Sequence, residues 1–501
     1  MLMLVTAKAV AADEVDVSQL KRLIESQQTL LDSQQKQLDQ QAKLLKSMIG
    51  DVKRLEERPA ARAKIAEKQQ VRAEVIVKSP KAEPLQTAQL AAASAKPGVD
   101  KALLDLSQGF HGSYMPPRGF QVAKTANSSL YISGILQARY MNQMIDQDYY
   151  VDHLGNKRPI DSREDVQLQR ILVFFNGQIL DPAFTYQATL WALSSSGQVA
   201  FAGNMNYKFN DAFMLSAGLS ANPGSGSNRN VFPYFLGTDR RMADEFFRPS
   251  FTSGVYATGE PIKNVHYKAM IGNSLSQLGV NARQDSQDLT YGLSSWWEPT
   301  TGEFGPLGSY GDYESHQKLA TRFGFSSISS REDRFNQPTI ADPENTQLRL
   351  GDGTLLFATG SLAPGVTVKH ATENLLAFDG GMKYQGFSLH GEYYARWFQG
   401  MTANGPLPLN SVFNQGFVLQ ASYMAIPKTL QIYTAYSTIL GDFAGSYEVA
   451  AGLNYFPFDT RAFRLNAELI HVDQSPTGSI GNLYKVGQTG NTLTLGAELF
   501  W

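Results

Sequence analysis

The residues most able to do chemistry here are basic side chains on alternating stretches. Arg139, Arg170, Lys208, Lys268, Arg322, Lys383, Arg396 and Arg464 each sit in a run where apolar and polar residues take turns. Period-two alternation puts the two sets on opposite faces of a strand. In FSLHGEYYARW, Phe387, Leu389, Gly391, Tyr393, Ala395 and Trp397 share one face, and Ser388, His390, Glu392, Tyr394 and Arg396 the other. The polar faces also carry Gln137, His266, Asp379, Glu448, Glu468 and Glu498. Cationic side chains around a narrow aqueous passage lower the barrier for anions and raise it for cations. Mutual neutralisation is the competing reading: Arg396 with Glu392, and Arg464 with Glu468, lie four residues apart on one face.

A second chemical stretch is 221–250, ANPGSGSNRNVFPYFLGTDRRMADEFFRPS. Its aromatics, Phe232, Tyr234, Phe235, Phe246 and Phe247, are too many for a loosely solvated loop. Among them stand Arg229, Asp239, Arg240, Arg241, Asp244, Glu245 and Arg248. This mix suits a loop that folds into a barrel mouth, packs its aromatics on the wall and aims its charges at the passage. A surface or subunit-contact loop held by Arg–carboxylate pairs is the alternative.

Other chemistries are poorly served. With no cysteine in 501 residues, disulfides, thiol catalysis, cysteine-bound zinc and c-type haem are excluded. Seven histidines are scattered and no G-x-S-x-G elbow occurs, so no catalytic residues, metal ligands or cofactor are expected. Lys+Arg 44 against Asp+Glu 46 suggests no nucleic-acid partner. No apolar run is long enough for a spanning helix, although a spanning barrel hides its hydrophobicity in every second residue.

The elements that position these residues are strands from about 130 onward. Short turns at 181–183, 210–211, 260–263, 385–386, 426–428 and 457–459 alternate with long connections near 141–165, 221–250, 274–287, 329–372, 399–412 and 474–490. Such alternation marks an up-and-down barrel with short periplasmic turns and long external loops. About sixteen antiparallel strands fit, with both ends inside, and eighteen stays open. Residues 299–318 are long for an inner turn, and GTLLFATGS (353–361) reads like a further strand. Trp296, Trp297, Trp397, Trp501, Phe456 and Phe458 are expected in interfacial girdles. In the final stretch NTLTLGAELFW, Leu493 to Trp501 should face lipid and Glu498 water. That ending resembles the C-terminal signal of bacterial outer-membrane barrels, so the expected setting is the outer membrane of a Gram-negative cell.

Ahead of the barrel domain (128–501) lie three other regions. Residues 1–12 (MLMLVTAKAVAA) read as a signal-peptide remnant with a V-A-A site. Residues 13–58 form an α-helical coiled coil with an unbroken seam: Val17, Ile24, Leu31, Leu38, Leu45 and Val52, alternating with Leu20, Gln27, Gln34, Gln41, Met48 and Leu55. Pro59 ends it. Residues 59–127, rich in Ala, Lys, Gln and Pro, read as a flexible linker.

Three stretches resemble the phosphate-selective porin O/P family. LYISGILQARY (130–140) and VQLQRILVFFNG (166–177) look like its first two strands, and DRRMADEFFRPSFTSG (239–254) like its third loop and return. The resemblance implies sixteen strands, a homotrimer and anion passage, with Arg170, Arg240 and Arg241 in the cationic lining. The third loop lacks the lysine cluster of true phosphate selectivity, which implies a passive pore for general or organic anions. The partners this implies are outer-membrane lipid, sister subunits and, through the N-terminal region, peptidoglycan. The alternative is an anchor whose coiled coil tethers the barrel to the cell wall.

Overall fold

The computed structural model describes residues 119–501 apart from 126, 194–197, 232–233, 277–287, 306–308, 335–345, 444 and 479–482. The signal remnant, the coiled coil, most of the linker, and Phe232 of the third loop lie outside the described residues. The first strands are β1 (Phe120–Lys124), β2 (Ser129–Ile145), β3 (Tyr149–Val151), β4 (Lys157–Pro159), β5 (Arg163–Ile179) and β6 (Asp181–Leu193). Next come β7 (Gln198–Asn210), β8 (Phe213–Ala221), β9 (Phe251–Ile262), β10 (Val265–Gly272), β11 (Thr290–Trp297) and β12 (Ala320–Asp333). The last seven are β13 (Val368–Tyr384), β14 (Phe387–Ala403), β15 (Val412–Ile426), β16 (Leu430–Gly441), β17 (Gly445–Tyr455), β18 (Phe463–Asp473) and β19 (Gly490–Phe500).

Seventeen of these strands share one sheet. β1 pairs only with the first residues of β2, and β3–β4 is a separate hairpin in the first outer loop. The remaining sixteen are antiparallel to their neighbours, and β19 pairs with β2 from Gly490↔Ile145 to Phe500↔Ile135. The sheet is therefore a closed barrel with no free edge, the only sheet form that satisfies every backbone group in lipid. Trp501 continues the seam through Gly134 N–H donating to its carbonyl (2.9 Å) and its own N–H returning the bond (3.1 Å). The chain thus ends at the inner rim, beside the start of the first barrel strand.

The piece at 353–361 is not a barrel strand. Positive φ at Gly353 (89°) and Gly360 (82°) folds it into turns, leaving a single bridge, Arg349–Leu355. Sixteen strands follow, not eighteen. Most inner connections are tight turns through residues with positive φ, such as Asn264, Gln385–Gly386 and Lys428. Two outer connections, after β6 and after β16, are also short, so loop length alone does not mark the side.

Facing follows the alternation. On β19, Leu495 and Leu499 are exposed while Thr492, Thr494 and Glu498 are buried. The girdle expectation fails at two positions, at Trp296 because adjacent strand residues cannot share a face and at Phe456 in the turn after β17. Trp297 is outward and exposed, but Trp296 turns in, stacked on His266 at 5.2 Å. Phe456 is likewise buried, edge-on to Tyr313 at 4.9 Å, whereas Phe458 is exposed.

Candidate functional site

The third outer loop, 222–250, lies inside the barrel. Its described side chains are nearly all buried, across a π-helical turn (Ser227–Val231) and the short helix α1 (Met242–Phe247). The aromatics hold it to the wall. Phe247 stacks on Tyr394 at 5.1 Å and Tyr234 on Phe500 at 5.0 Å. The charges do the rest. Arg229 donates to both oxygens of Asp379 at 2.8 Å. Asp239 accepts from Arg170 at 2.7 Å, with Arg139 at 3.6 Å. Burial pushes the Asp239 carboxyl up, but Arg170 and Arg139 outweigh it and hold the group at about 2. Arg241 reaches Glu448 at 3.0 Å and Glu468 at 2.5 Å, and those carboxylates keep its charge against burial. Within the loop, Arg240 pairs with Asp244 (3.8 Å) and Arg248 with Glu245 (2.8 Å). The loop is thus folded inside the barrel rather than on its surface, and Arg–carboxylate pairs hold it there.

The wall cations are likewise engaged. Arg464 pairs with Glu498 at 2.5 Å and donates to the Phe235 and Leu236 carbonyls at 2.7 and 3.0 Å. Arg396 donates to the Phe246 carbonyl at 2.8 Å and lies 4.2 Å from that ring. Lys268 donates to the Ala221 carbonyl at 2.7 Å. Lys208 stands at the exposed inner rim, paired with Asp211 at 2.7 Å. The same-strand pairs expected from sequence do not form. Glu392 accepts the Gly226 N–H (2.7 Å) and Glu468 is taken by Arg241. The reason is geometric: directly opposed cross-strand residues, such as Arg464↔Glu498, are about 5 Å apart at Cβ, whereas residues four apart on one strand are separated by about 13 Å.

The structure adds two elements that the sequence reading did not assign to the site. The described part of the long inner connection, 298–305 and 309–319, folds up into the lumen and meets the third loop from below. Phe304 and Tyr310 are buried, and Tyr310 clusters with Val231, Phe235, Leu236 and Tyr433. Asp312 and Glu303 flank His316, Asp312 bonding its Nδ1 and Glu303 lying 3.0 Å from Nε2. The bond from Asp312 raises the His316 imidazole above its ordinary range, against the opposing pull of burial. From outside, the loop between β12 and β13 brings Leu348, Leu350, Leu356 and Leu362 onto the third loop and its wall. The unusual length of 298–319 and the Gly302–Gly305 bracket (φ 75° and 83°) were the available signals for the first.

Between the two in-folds remains a cavity of about 40 Å³ beside Leu236, Gly311 and Gln431. A larger recess, about 390 Å³, opens between Lys124, Tyr131, Asn176, Gln187 and Asn206 near the inner ends of β2 to β7. Another, about 340 Å³, lies among Tyr149, His153, Asp352 and Phe443 in the outer loops. Among the described residues, no group of three His, Asp or Glu side chains is placed to hold a metal ion.

No protein-family model and no curated protein matches the chain. Solved structures that resemble it include an anion-selective porin of Comamonas acidovorans, at 12% identity and TM-score 0.46, covering 75% of this chain and all of that one. A loop-deletion mutant of OmpT, an outer-membrane protein of Vibrio cholerae, aligns at 14% and TM-score 0.46, with the same coverage. The outer-membrane channel DcaP of Acinetobacter baumannii aligns at 11% and TM-score 0.44, covering 75% of this chain and 99% of that one. Likeness at this level carries no argument about solutes, so the functional reading rests on the chain's own geometry.

Proposed function

We propose that this protein is an outer-membrane channel for small hydrophilic solutes, narrowed at its third loop and mildly favouring anions. The observation behind this is a closed barrel with an apolar exterior and a polar lumen, crossed by an in-folded, ion-paired loop. A loop so placed narrows a passage to side-chain dimensions and sets which charges a solute meets. Because four of the eight wall cations, Arg139, Arg170, Lys208 and Arg464, are matched by carboxylates, the anion preference is modest. Specific phosphate capture is not part of the proposal. The kinship we infer is with phosphate-selective O/P porins in architecture, with passage broadened to general or organic anions, and the assembly is a homotrimer in outer-membrane lipid. Planar-bilayer recordings in asymmetric KCl test this: small discrete steps with reversal toward the chloride potential are expected. Reversal toward the potassium potential removes the anion preference, and a folded barrel without steps removes the channel.

A second reading has its own support, since packed side chains fill the middle of the lumen. There the barrel is an anchor and the N-terminal coiled coil grips peptidoglycan. Deleting 13–57 separates the two, because a channel keeps its conductance and an anchor loses its cell-wall attachment.

A further inference from the structure

The outer mouth is bridged from side to side. The hairpin β3–β4 rises between β2 and β5, and the turn 349–355 rises between β12 and β13. Eight strands, β5 to β12, separate the two on one side of the ring, and eight, β13 to β2, on the other. They start from opposite rims, yet their tips touch. The His153 N–H donates to Asp352 Oδ2 at 2.8 Å, and His153 Nδ1 lies 2.7 Å from the same oxygen. The His153 ring packs on Phe443, from the connection after β16, at 4.3 Å. Each tip is built without the other. Asp152 shapes the hairpin's turn by accepting from the Leu154 and Asn156 N–H groups at 3.1 and 2.8 Å, with Gly155 at φ 83°. Asp352 shapes the facing turn by accepting from the Thr354 N–H at 3.0 Å and its hydroxyl at 3.1 Å. Two self-supporting turns thus meet at one carboxylate.

Resting on the channel reading of the lumen, we propose that the hairpin β3–β4 is a lid over the outer mouth, hinged at its base and latched at its tip by His153 to Asp352. The base is held by the last outer connection: the Asp146 N–H donates to the Thr489 carbonyl at 2.9 Å, and Lys485 Nζ to the Asp161 carbonyl. The tip is held differently. Among the described residues, no hydrogen bond or ion pair besides those of His153 with Asp352 joins β3–β4 to the turn 349–355. His153 Nε2 makes no hydrogen bond, so the latch is a point and not a network. Beside it the seal is close packing at glycines. A Cβ on Gly353 would lie 2.2 Å from Val486 Cγ1, and one on Gly487 2.1 Å from Tyr150 Cδ1. Breaking one junction therefore frees the tip, while Asp152 and Asp352 keep both turns in shape. The lid then swings from the far rim and admits larger solutes.

Pulsed electron-spin distances in the full, detergent-purified chain test the lid. Spin labels are carried on Val151→Cys in the hairpin and Lys369→Cys on β13, both exposed positions in a chain without native cysteine. With the latch intact the distance should be single and narrow. His153→Ala, which leaves the Thr354 bonds of Asp352 in place, should lengthen and broaden it. An unchanged distribution in that variant overturns the inference. A second variant pairs His153→Cys with Asp352→Cys through a short, reducible thiol cross-linker, so that the linked and released states are one folded sample. Linking should abolish the largest conductance steps in planar bilayers, and reduction should bring them back. Failure to link, or identical steps before and after reduction, overturns the lid. The two readings stay separable. A distance that lengthens in a protein without steps upholds the lid and removes the channel, and steps with an unchanged distance uphold the channel and remove the lid.

Discussion

The third loop and the inner connection both fill the lumen, but they are held differently. The third loop is fastened by matched charges: Arg229 to Asp379, Arg241 to Glu448 and Glu468, and Asp239 to Arg170. The inner connection meets Arg322 and Lys383 only through the ring and carbonyl of Phe304. One set of contacts is costly to break because buried charges would be stranded. The other is tied at the inner turns, by the Gly386 N–H to Asp312 (2.8 Å), the Gln385 N–H to the His316 carbonyl (2.8 Å) and the partly exposed Glu314–Arg461 pair (3.4 Å). Two in-folded segments thus occupy one barrel, one fastened by buried charge pairs in mid-lumen and the other tied at the inner turns.

This contrast can be broken by substitution. The largest effect is expected from Arg241→Ala, which strands Glu448 and Glu468 beside each other. Removing one partner of a buried pair costs about 3–5 kcal/mol. Denaturant or thermal unfolding in detergent should register that loss, and recordings should show larger, noisier steps. Asp239→Asn is milder. It frees charge on Arg170 and Arg139 without removing a cation. The chloride-to-potassium permeability ratio should rise by up to about fivefold, on the scale of the roughly 1 kcal/mol that two unit charges exchange at 4 Å in water. Since Asp239 is held at about 2, the native ratio should not change with pH on its account.

The inner connection should respond to pH instead. With its folded pKa raised, protonated His316 stabilises this segment below the ordinary imidazole range, and that stability is lost as pH rises through the raised value. Conductance should therefore climb on the alkaline side, and His316→Gln should flatten the profile. A slope that persists in the variant assigns the dependence elsewhere. Lys208→Ala, at the exposed inner rim, should change neither stability nor reversal potential measurably.

Much of this was legible in residue order. Alternation at 387–397 and 491–501 gave the faces, turn spacing gave the strand count, and the aromatics of 221–250 marked an in-folding loop. What pairs with what was not legible. Arg464 takes Glu498 from the next strand, and Arg241 takes two carboxylates more than 200 positions away. Register sets such partners, and composition does not carry register. The in-folding of the inner connection was hidden for a related reason. Residues 298–319 have no periodicity in sequence, and Phe304 is seated against a glycine, Gly381, on β13.

The contrast is tested most directly by thiol accessibility, because the chain has no native cysteine. Single thiols introduced by Ser309→Cys in the inner connection and Ala243→Cys in the third loop both start buried. Labelling by a small water-soluble thiol reagent is followed over time. A third loop fastened by buried charge pairs predicts that position 243 stays protected while position 309 labels measurably faster. Equal rates at the two positions, or faster labelling at 243, would contradict it.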